Sequence, residues 1–252
     1  LGAPGRLDGF LHADALSLFF ILTIAVVNLA AALYSRSYIG GEVEEGLIGE
    51  GAAKLYYSLF NIFTFSMFLV TLVENLGLMW VCVEMTTLAS AFLVGFHTTK
   101  KAIEAAWKYV IICSVGLVLA LVGVILFYYA LNTGTGATTL NWNDMLRNAA
   151  SLDQRLIKIA FIFILVGYGT KAGLAPMHTW LPDAHSQALT PISALLSCVL
   201  LKTSVYAVLR FMVITNKAVG VSYAANLALA FGILSLGVSA AFILVQRDIK
   251  RL

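Results

Sequence analysis

The sequence is poor in charged residues, in proline and in cysteine. Charged residues make up 12% of its 252 positions, with only 4 prolines and 3 cysteines. A soluble domain carries about 25% charged residues, so this composition disfavours a water-facing fold. The cysteines lie far apart, form no C-x-x-C pair and are best interpreted as small packing residues: Cys82, Cys113 and Cys198. Without a cysteine cluster or a dinucleotide-binding glycine pattern, the chain is expected to bind no redox cofactor of its own.

Other signals are also missing. The net charge of +3 is small, and no basic stripe indicates a nucleic-acid partner. The first residues show no cleavable signal pattern and no initiator methionine. The sequence is therefore expected to be a fragment of a longer chain.

Apolar residues dominate what is present. They make up 60% of the chain, and the mean hydropathy is +0.91. A membrane-spanning helix needs about 20 mostly apolar residues, whereas barrel strands alternate over about 10. The runs are long and continuous, which predicts an all-α, polytopic transmembrane helix bundle forming one domain over 1–252. The seven predicted spans are 14–36, 55–74, 76–97, 106–131, 156–176, 190–212 and 222–246.

The basic residues predict an orientation in the membrane. Alternating the spans places eight Lys and Arg residues on one side, including Arg247, Lys250 and Arg251, and six on the other, including Arg210. Positively charged loops tend to remain cytoplasmic. We expect a prokaryotic cell (inner) membrane protein with an external N-terminus and a cytoplasmic C-terminus.

Three ionisable residues lie well inside the predicted spans: Glu84, Lys171 and Lys202. Each costs about 2.5–3.5 kcal/mol to insert, so such residues usually have a function. One interpretation is a structural ion pair between Glu84 and one lysine. It leaves the second lysine unpaired, and an unpaired buried amine tends to lose its proton. The second interpretation is therefore a proton relay through all three groups.

The stretch "GYGTKAGLAPMHTWLPDAH" at 167–185 interrupts an apolar run just after Lys171. Gly173, Pro176 and Pro182 predict a broken helix, because proline removes a backbone donor. At membrane depth such breaks occur where the backbone is buried in protein or lines a wet cavity, and they often mark transport sites. The sequence therefore predicts a hydrated pocket with Lys171 as its titrating group.

Several polar residues surround this break. His178, Asp183 and His185 match no strong zinc-site spacing, and no metal is expected. His185 is a candidate proton relay, and His178 and Asp183 are further candidates for relay or modulation. The other role for Asp183 is a helix cap or loop anchor. Lys108 lies four residues from Glu104, which predicts a surface pair, with modulation of Glu84 as the other role for Lys108.

Three segments carry a family resemblance: "GTKAGLAPMHTWLPDAHSQALTPISALLS" with "LLKTSVYAVLRF", "WVCVEMTTLASAFLVGF", and "AIEAAWKYVIICSVGLVLALVGVILFYYA". The sequence resembles the antiporter-like membrane subunits of complex I, multisubunit sodium/proton antiporters and membrane-bound NiFe hydrogenases. It is most similar to the large membrane subunit of hydrogenase-4 and formate hydrogenlyase type complexes. Those proteins have two inverted five-helix repeats, and the resemblance implies that spans two to six form the first repeat and that the second is absent.

The resemblance implies roles by motif position. Glu84 corresponds to the essential glutamate, Lys171 to the lysine of the broken helix and Lys202 to the central lysine, with Lys108 and His185 at recurrent polar positions. It implies other membrane subunits and a peripheral redox arm as partners in the lipid bilayer. A NiFe centre and iron–sulfur clusters, or flavin, would belong to those partner subunits.

The leading functional hypothesis is a proton-translocating subunit of an energy-converting redox complex, of the hydrogenase-4 or NADH-quinone oxidoreductase type. Catalysis would then belong to partner subunits. Two alternatives stay open: a subunit of a multisubunit Na+/H+ antiporter, and a membrane scaffold without transport.

Overall fold

The computed structural model describes residues 6–7, 10–244 and 246. Arg247, Lys250 and Arg251, which entered the orientation argument, lie outside these residues. The fold is all-α and multi-pass, as the sequence predicts, apart from two short antiparallel strands near the N-terminus, Arg6–Leu7 (β1) and Leu11–His12 (β2). The helices in chain order are α1 Ala15–Glu44, α2 Glu50–Leu72, α3 Leu76–Val94, α4 Lys100–Thr135, α5 Trp142–Arg147, α6 Gln154–Ala172, α7 Trp180–Gln187, α8 Thr190–Leu195, α9 Leu201–Val219 and α10 Val221–Ile243.

Six helical segments within the described residues have the length and apolar composition to cross a membrane: α1 to α4, the segment Thr190–Val219, and α10. The remaining predicted span coincides with α6. It is 19 residues long and carries three basic residues, Arg155, Lys158 and Lys171. Its buried residues place it in the interior of the helix bundle.

Helix ends differ from the predicted bounds where glycine or polar residues stay helical. α1 was predicted to end at 36 but continues to Glu44 through Gly40 and Gly41. Glycine weakens a helix by only about 1 kcal/mol relative to alanine, so a long apolar helix can continue through it. The polar loop after α4 holds the short helix α5, in agreement with the sequence.

The centre of the bundle is the close contact between α4 and α6. A side chain added at Gly116 would meet Thr170, and one added at Gly123 would meet Ile164. One added at Gly167 would meet the backbone of Ala120. Small residues let the backbones of membrane helices approach closely, which is how van der Waals packing holds them together without a hydrophobic driving force.

Two features of the backbone position the functional residues. α6 ends at Ala172 with Gly173 in the left-handed conformation at φ 81°, and the chain then turns through Pro176 before α7 begins at Trp180. α8 and α9 are joined by a π-helical turn at Leu196–Leu200. The first interruption lies at the glycine and proline residues from which the sequence predicts it, whereas the sequence analysis did not predict the second.

Pro182 differs from its expected place. It lies inside the first turn of α7 instead of in the interruption. The first four N–H groups of a helix have no partner within the helix, so a missing donor costs little there.

Candidate functional site

Lys171 lies in the last turn of α6 and is completely buried. Its Nζ donates to Thr87 Oγ1 at 2.5 Å and to Tyr109 OH at 2.9 Å. The Tyr109 hydroxyl also lies 2.7 Å from Ser90 Oγ. Because that hydroxyl accepts from the lysine, its own proton is free to point at Ser90. The amine is therefore the end of a buried chain of hydroxyl groups.

The partners of Lys171 come from two helices that the sequence folds around it. Glu84, Thr87 and Ser90 recur every three residues along α3 and so lie on one face of that helix. Tyr109 comes from α4, which packs against both α3 and α6. The Trp180 ring lies 4.7 Å from the Tyr109 ring, and its Nε1 donates to the Thr170 carbonyl at 2.9 Å. The start of α7 thus closes over the lysine.

Glu84 lies one turn before Thr87 on the same face of α3 and is partly buried. Its Oε1 accepts a 2.7 Å hydrogen bond from Ser114 Oγ on α4. Its Oε2 is buried and has no hydrogen-bond partner among the residues that the structure describes. The salt bridges found in the described part of the chain do not include a Glu84–Lys171 pair. The direct ion pair considered from the sequence is therefore not formed, and hydroxyl groups lie where it was expected.

Lys202 differs most from its expected environment. Its side chain is exposed on the surface of this chain instead of buried beside Lys171. Its Nζ donates at 2.7 Å to the carbonyl of Ser197, five residues back, inside the π-helical turn. A π turn changes the register of a helix and its carbonyl pairing, which brings this oxygen within reach of the amine.

His185 lies between the two lysines in the sequence and is buried in α7. Its Nδ1 is 3.0 Å from Ser193 Oγ of α8. Burial, and after it the positive charge of Lys202, lowers the pKa of the His185 imidazole below its ordinary value. The Nδ1 of His178 is buried without a hydrogen-bond partner in the described residues. In the same part of the chain, no three His, Cys, Asp or Glu side chains converge to hold a metal ion.

Asp183 and Lys108 form a surface contact between α7 and α4. Lys108 Nζ lies 3.2 Å from Asp183 Oδ2 and 2.7 Å from Glu104 Oε1. The Glu104–Lys108 surface pair is confirmed. Asp183 does not cap the next helix, because the residue at the N-cap position of α8 is Leu189. Lys108 points to Asp183 and the surface, not towards Glu84.

The sequence analysis missed a buried ionic cluster around Arg210. This residue of α9 is 4% exposed, and its guanidinium makes a double hydrogen bond to Asp14 at 2.6 and 2.7 Å. It also donates to Ser17 Oγ and Tyr206 OH, and it stacks on the Trp142 ring at 4.5 Å. Arg210 was counted as a loop residue in the orientation argument. An arginine inside "YAVLRFMVI" was the available signal, because a charge within an apolar run usually has a partner.

This cluster changes the pKa of Asp14, which lies just before the first residue of α1. Burial alone raises the pKa of its carboxyl group. The hydrogen bonds from Arg210 and the Ser17 N–H outweigh burial and hold the pKa well below its usual range. The cluster therefore stabilises the ionised form of Asp14.

Comparison with known proteins identifies the family of the chain. The family model described as NADH:quinone oxidoreductase/Mrp antiporter, transmembrane, matches residues 73–252. The chain is 42% identical over 245 residues to a hydrogenase-4 component F homologue of Methylacidiphilum infernorum, covering 96% of this chain and 52% of that protein. It is 32% identical over 246 residues to hydrogenase-4 component B of Escherichia coli, covering 97% of this chain and 34% of that protein.

A solved structure has a similar fold. A chain in the membrane-bound sulfane sulfur reductase, an archaeal respiratory membrane complex, superimposes with a TM-score of 0.83 at 26% identity, covering 96% of this chain and 47% of that one. The chain spans about half or less of the length of the proteins to which it is similar.

Proposed function

Because the chain belongs to the NADH:quinone oxidoreductase/Mrp antiporter transmembrane family, we propose that it handles protons within an energy-converting redox complex. The complex would be of the hydrogenase-4 or NADH-quinone oxidoreductase type, with other membrane subunits and a peripheral redox arm as partners. A NiFe centre and iron–sulfur clusters, or flavin, would be held by that arm. The membrane would be a prokaryotic inner membrane, with the first described helix beginning on the external side.

One observation carries the proposal: Lys171 is fully buried and solvated by neutral hydroxyl groups. An ammonium locked to a carboxylate would keep its proton. Hydroxyl groups both donate and accept hydrogen bonds, so they satisfy the amine in either protonation state. When Lys171 is charged, Tyr109 accepts from it; when it is neutral, Tyr109 donates to it. Lys171 can therefore exchange a proton without leaving its own amine or the Tyr109 hydroxyl unpaired.

Glu84 would bias this exchange. Its carboxylate lies one helical turn from Thr87, near enough to stabilise the charged lysine without forming a salt bridge. If a change of charge nearby moved the Glu84 side chain towards or away from Lys171, Lys171 would hold its proton more or less tightly. Interacting ionisable sites titrate together, so the proton would then move. The protein partner that causes this change would be a neighbouring membrane subunit.

His185 and Lys202 would continue the path. The charge of Lys202 contributes, after burial, to lowering the pKa of His185, and the Lys202 side chain lies on a face that this chain leaves exposed. In the proposed sequence Lys171 passes its proton towards His185, and Lys202 delivers it to that face. The proposed Glu84–Lys171–Lys202 relay therefore has two parts. Glu84 and Lys171 form the buried part, and Lys202 lies at the surface of this chain.

A second function is favoured by one feature of the site. One carboxylate oxygen of Glu84 has no hydrogen-bond partner among the described residues, while the other accepts from the Ser114 hydroxyl, and hard cations prefer oxygen ligands. A subunit of a multisubunit Na+/H+ antiporter would use the same residues. Sodium-dependent proton movement without a redox substrate would favour this function over the first.

Mutation of the two ends of the relay tests the proposal. In the intact subunit within its complex, Glu84→Gln and Lys202→Ala should abolish proton pumping while assembly is retained. The measurement is acidification of proteoliposomes during turnover, with subunit content checked on the same preparations. Pumping at the wild-type rate by both assembled variants would refute the relay.

A further inference from the structure

The surface around Phe92 is shaped differently from the rest of the bundle. One groove of about 450 Å³ lies between α3 and α4 and is lined by apolar residues that include Leu88, Ile103 and Trp107. A second groove of about 700 Å³ lies between α2 and α3 and is lined in part by Leu55. Phe92, which is 67% exposed, lines both grooves together with Gly95, so the two grooves meet at these residues. We name these two grooves together the Phe92 double groove.

Positive charge lies at one end of this double groove. Lys100, Ile103 and Trp107 are spaced three and four residues apart, so they share one face of α4 with Lys100 at its start. The apolar lining continues to Val110, roughly 15 Å along the helix from Lys100. The double groove is therefore an apolar groove that extends about half the thickness of a bilayer's hydrocarbon core, with a cation at its mouth.

Lys100, the cation at this mouth, has no salt-bridge partner among the described residues. Its neighbour Lys101 faces a different cavity, whose lining includes Glu104 and Asp183. The nearby Glu104 is already paired with Lys108, and Glu42 lies 3.4 Å from His97. Glu50, at the start of α2, lies in the chain between Gly49 and Ala52, which line the second groove, and it is on a helix other than that of Lys100. The uncompensated positive charge is thus concentrated on the α4 side of Phe92.

We propose that the Phe92 double groove binds one anionic glycerophospholipid. Its phosphate lies at Lys100, near the exposed Thr98, and its two acyl chains lie on either side of Phe92. A helix of another protein is about 10 Å wide and would have to displace the Phe92 ring, whereas two narrow chains fit around it. Juxtamembrane lysines attract anionic headgroups, and Trp side chains lie preferentially at the headgroup level, as Trp107 would. This inference requires the chain to lie in a membrane but does not require it to move protons.

Lipid retention on the complete protein tests this inference. The protein is stripped in mild detergent, and phosphatidylglycerol or phosphatidylethanolamine is added back in separate series. Native mass spectrometry then counts the lipid that each form retains. We expect one tightly held phosphatidylglycerol, with affinity about fivefold lower in Lys100→Gln, the factor expected for one juxtamembrane lysine. Lys100→Arg should keep the wild-type affinity.

Two controls make the result decisive. Lys54→Gln removes another exposed lysine, on α2, that lines a different cavity, and it should bind phosphatidylglycerol like the wild type. Ala106→Leu narrows the α3–α4 groove without changing charge and should also weaken binding. Equal retention by Lys100→Gln and Lys54→Gln, or equal affinity for phosphatidylethanolamine, would overturn the proposal. So would a disulfide cross-link from Trp107→Cys to a neighbouring protein chain, because the groove would then hold protein.

Discussion

At the scale of single residues, the proton chemistry depends on the neutral partners of Lys171. An intramembrane lysine is usually stabilised by an acid, yet here Thr87 and Tyr109 provide the hydrogen bonds. Tyr109 is the more informative partner because it links the amine to Ser90. Removing its hydroxyl group leaves the ring packing against Trp180 intact.

Tyr109→Phe should therefore slow proton pumping without preventing assembly. The buried amine loses one hydrogen bond. This loss costs about 1–3 kcal/mol in each protonation state of Lys171 that uses that hydrogen bond. We expect pumping to fall about tenfold. Tyr129→Phe, an exposed position on the same helix, is the matched control and should pump normally. Similar rates in the two variants would show that the Tyr109 hydroxyl takes no part.

Asp14→Asn tests the second buried charge cluster. The variant leaves the Arg210 guanidinium with a neutral partner, and we expect a loss of about 2–3 kcal/mol, less than for a fully buried pair, because the Asp14 side chain is 27% exposed. The thermal unfolding temperature of the detergent-solubilised protein should fall by several degrees. An unchanged unfolding temperature would contradict a stabilising role for the pair.

The same variant has a pH signature. Because the pKa of Asp14 is lower in the folded protein than its ordinary value of 3.8, its contribution to stability is present above that value and is lost as the pH falls below it. The difference in unfolding temperature between the wild type and Asp14→Asn should shrink from about pH 5 to about pH 3. A difference that stays constant over this range would count against the depressed pKa.

The sequence identified some of these residues and missed others for a physical reason. Glu84 and Lys171 were evident because charges inside apolar spans are rare. Tyr109, Thr87 and Ser90 were not, since uncharged hydroxyl residues are common in membrane helices and carry no such signal. The Asp14–Arg210 pair joins residues 196 positions apart, so only the folded chain reveals it.

At the scale of the helices, the length of the apolar runs predicted where helices form. The close packing of α4 against α6 depends instead on glycine residues at their contact. The predicted spans 55–74, 76–97 and 222–246 coincide with α2, α3 and α10, and their ends differ from the helix bounds by up to five residues. The break after α6 was predictable from Gly173 and Pro176. The π-helical turn was not, because "LSCVL" contains neither glycine nor proline and reads as an ordinary apolar helix.

Gly167→Ala tests the close packing of α4 against α6. The new methyl group would collide with the Ala120 backbone, which cannot move as a side chain can. Overpacking costs about 1–3 kcal/mol, so we expect a clearly lower thermal unfolding temperature. Gly232→Ala in α10 is the control: nothing lies within 4 Å of the added atom, and the helix should be unchanged or slightly stabilised. Equal unfolding temperatures for the two variants would contradict this packing.

At the scale of the whole molecule, composition predicted a membrane bundle but not which of its faces are covered. Lys202 was expected in the interior because it lies near the middle of its run, yet it lies on an exposed face of this chain. Position along a span gives depth in the bilayer, whereas the direction of a side chain depends on helix rotation, which the π turn alters here. The buried half of the site was therefore more predictable than the exposed half.

The most direct test concerns the proton on Lys171. Lys171→Met removes the titrating amine and keeps most of the side-chain volume, and Lys158→Met changes an exposed lysine on the same helix. Both variants are made in the intact subunit, and proton movement into proteoliposomes is measured during turnover of the assembled complex. We predict that Lys171→Met assembles but moves no protons, while Lys158→Met matches the wild type. Wild-type proton movement by assembled Lys171→Met would contradict the central claim.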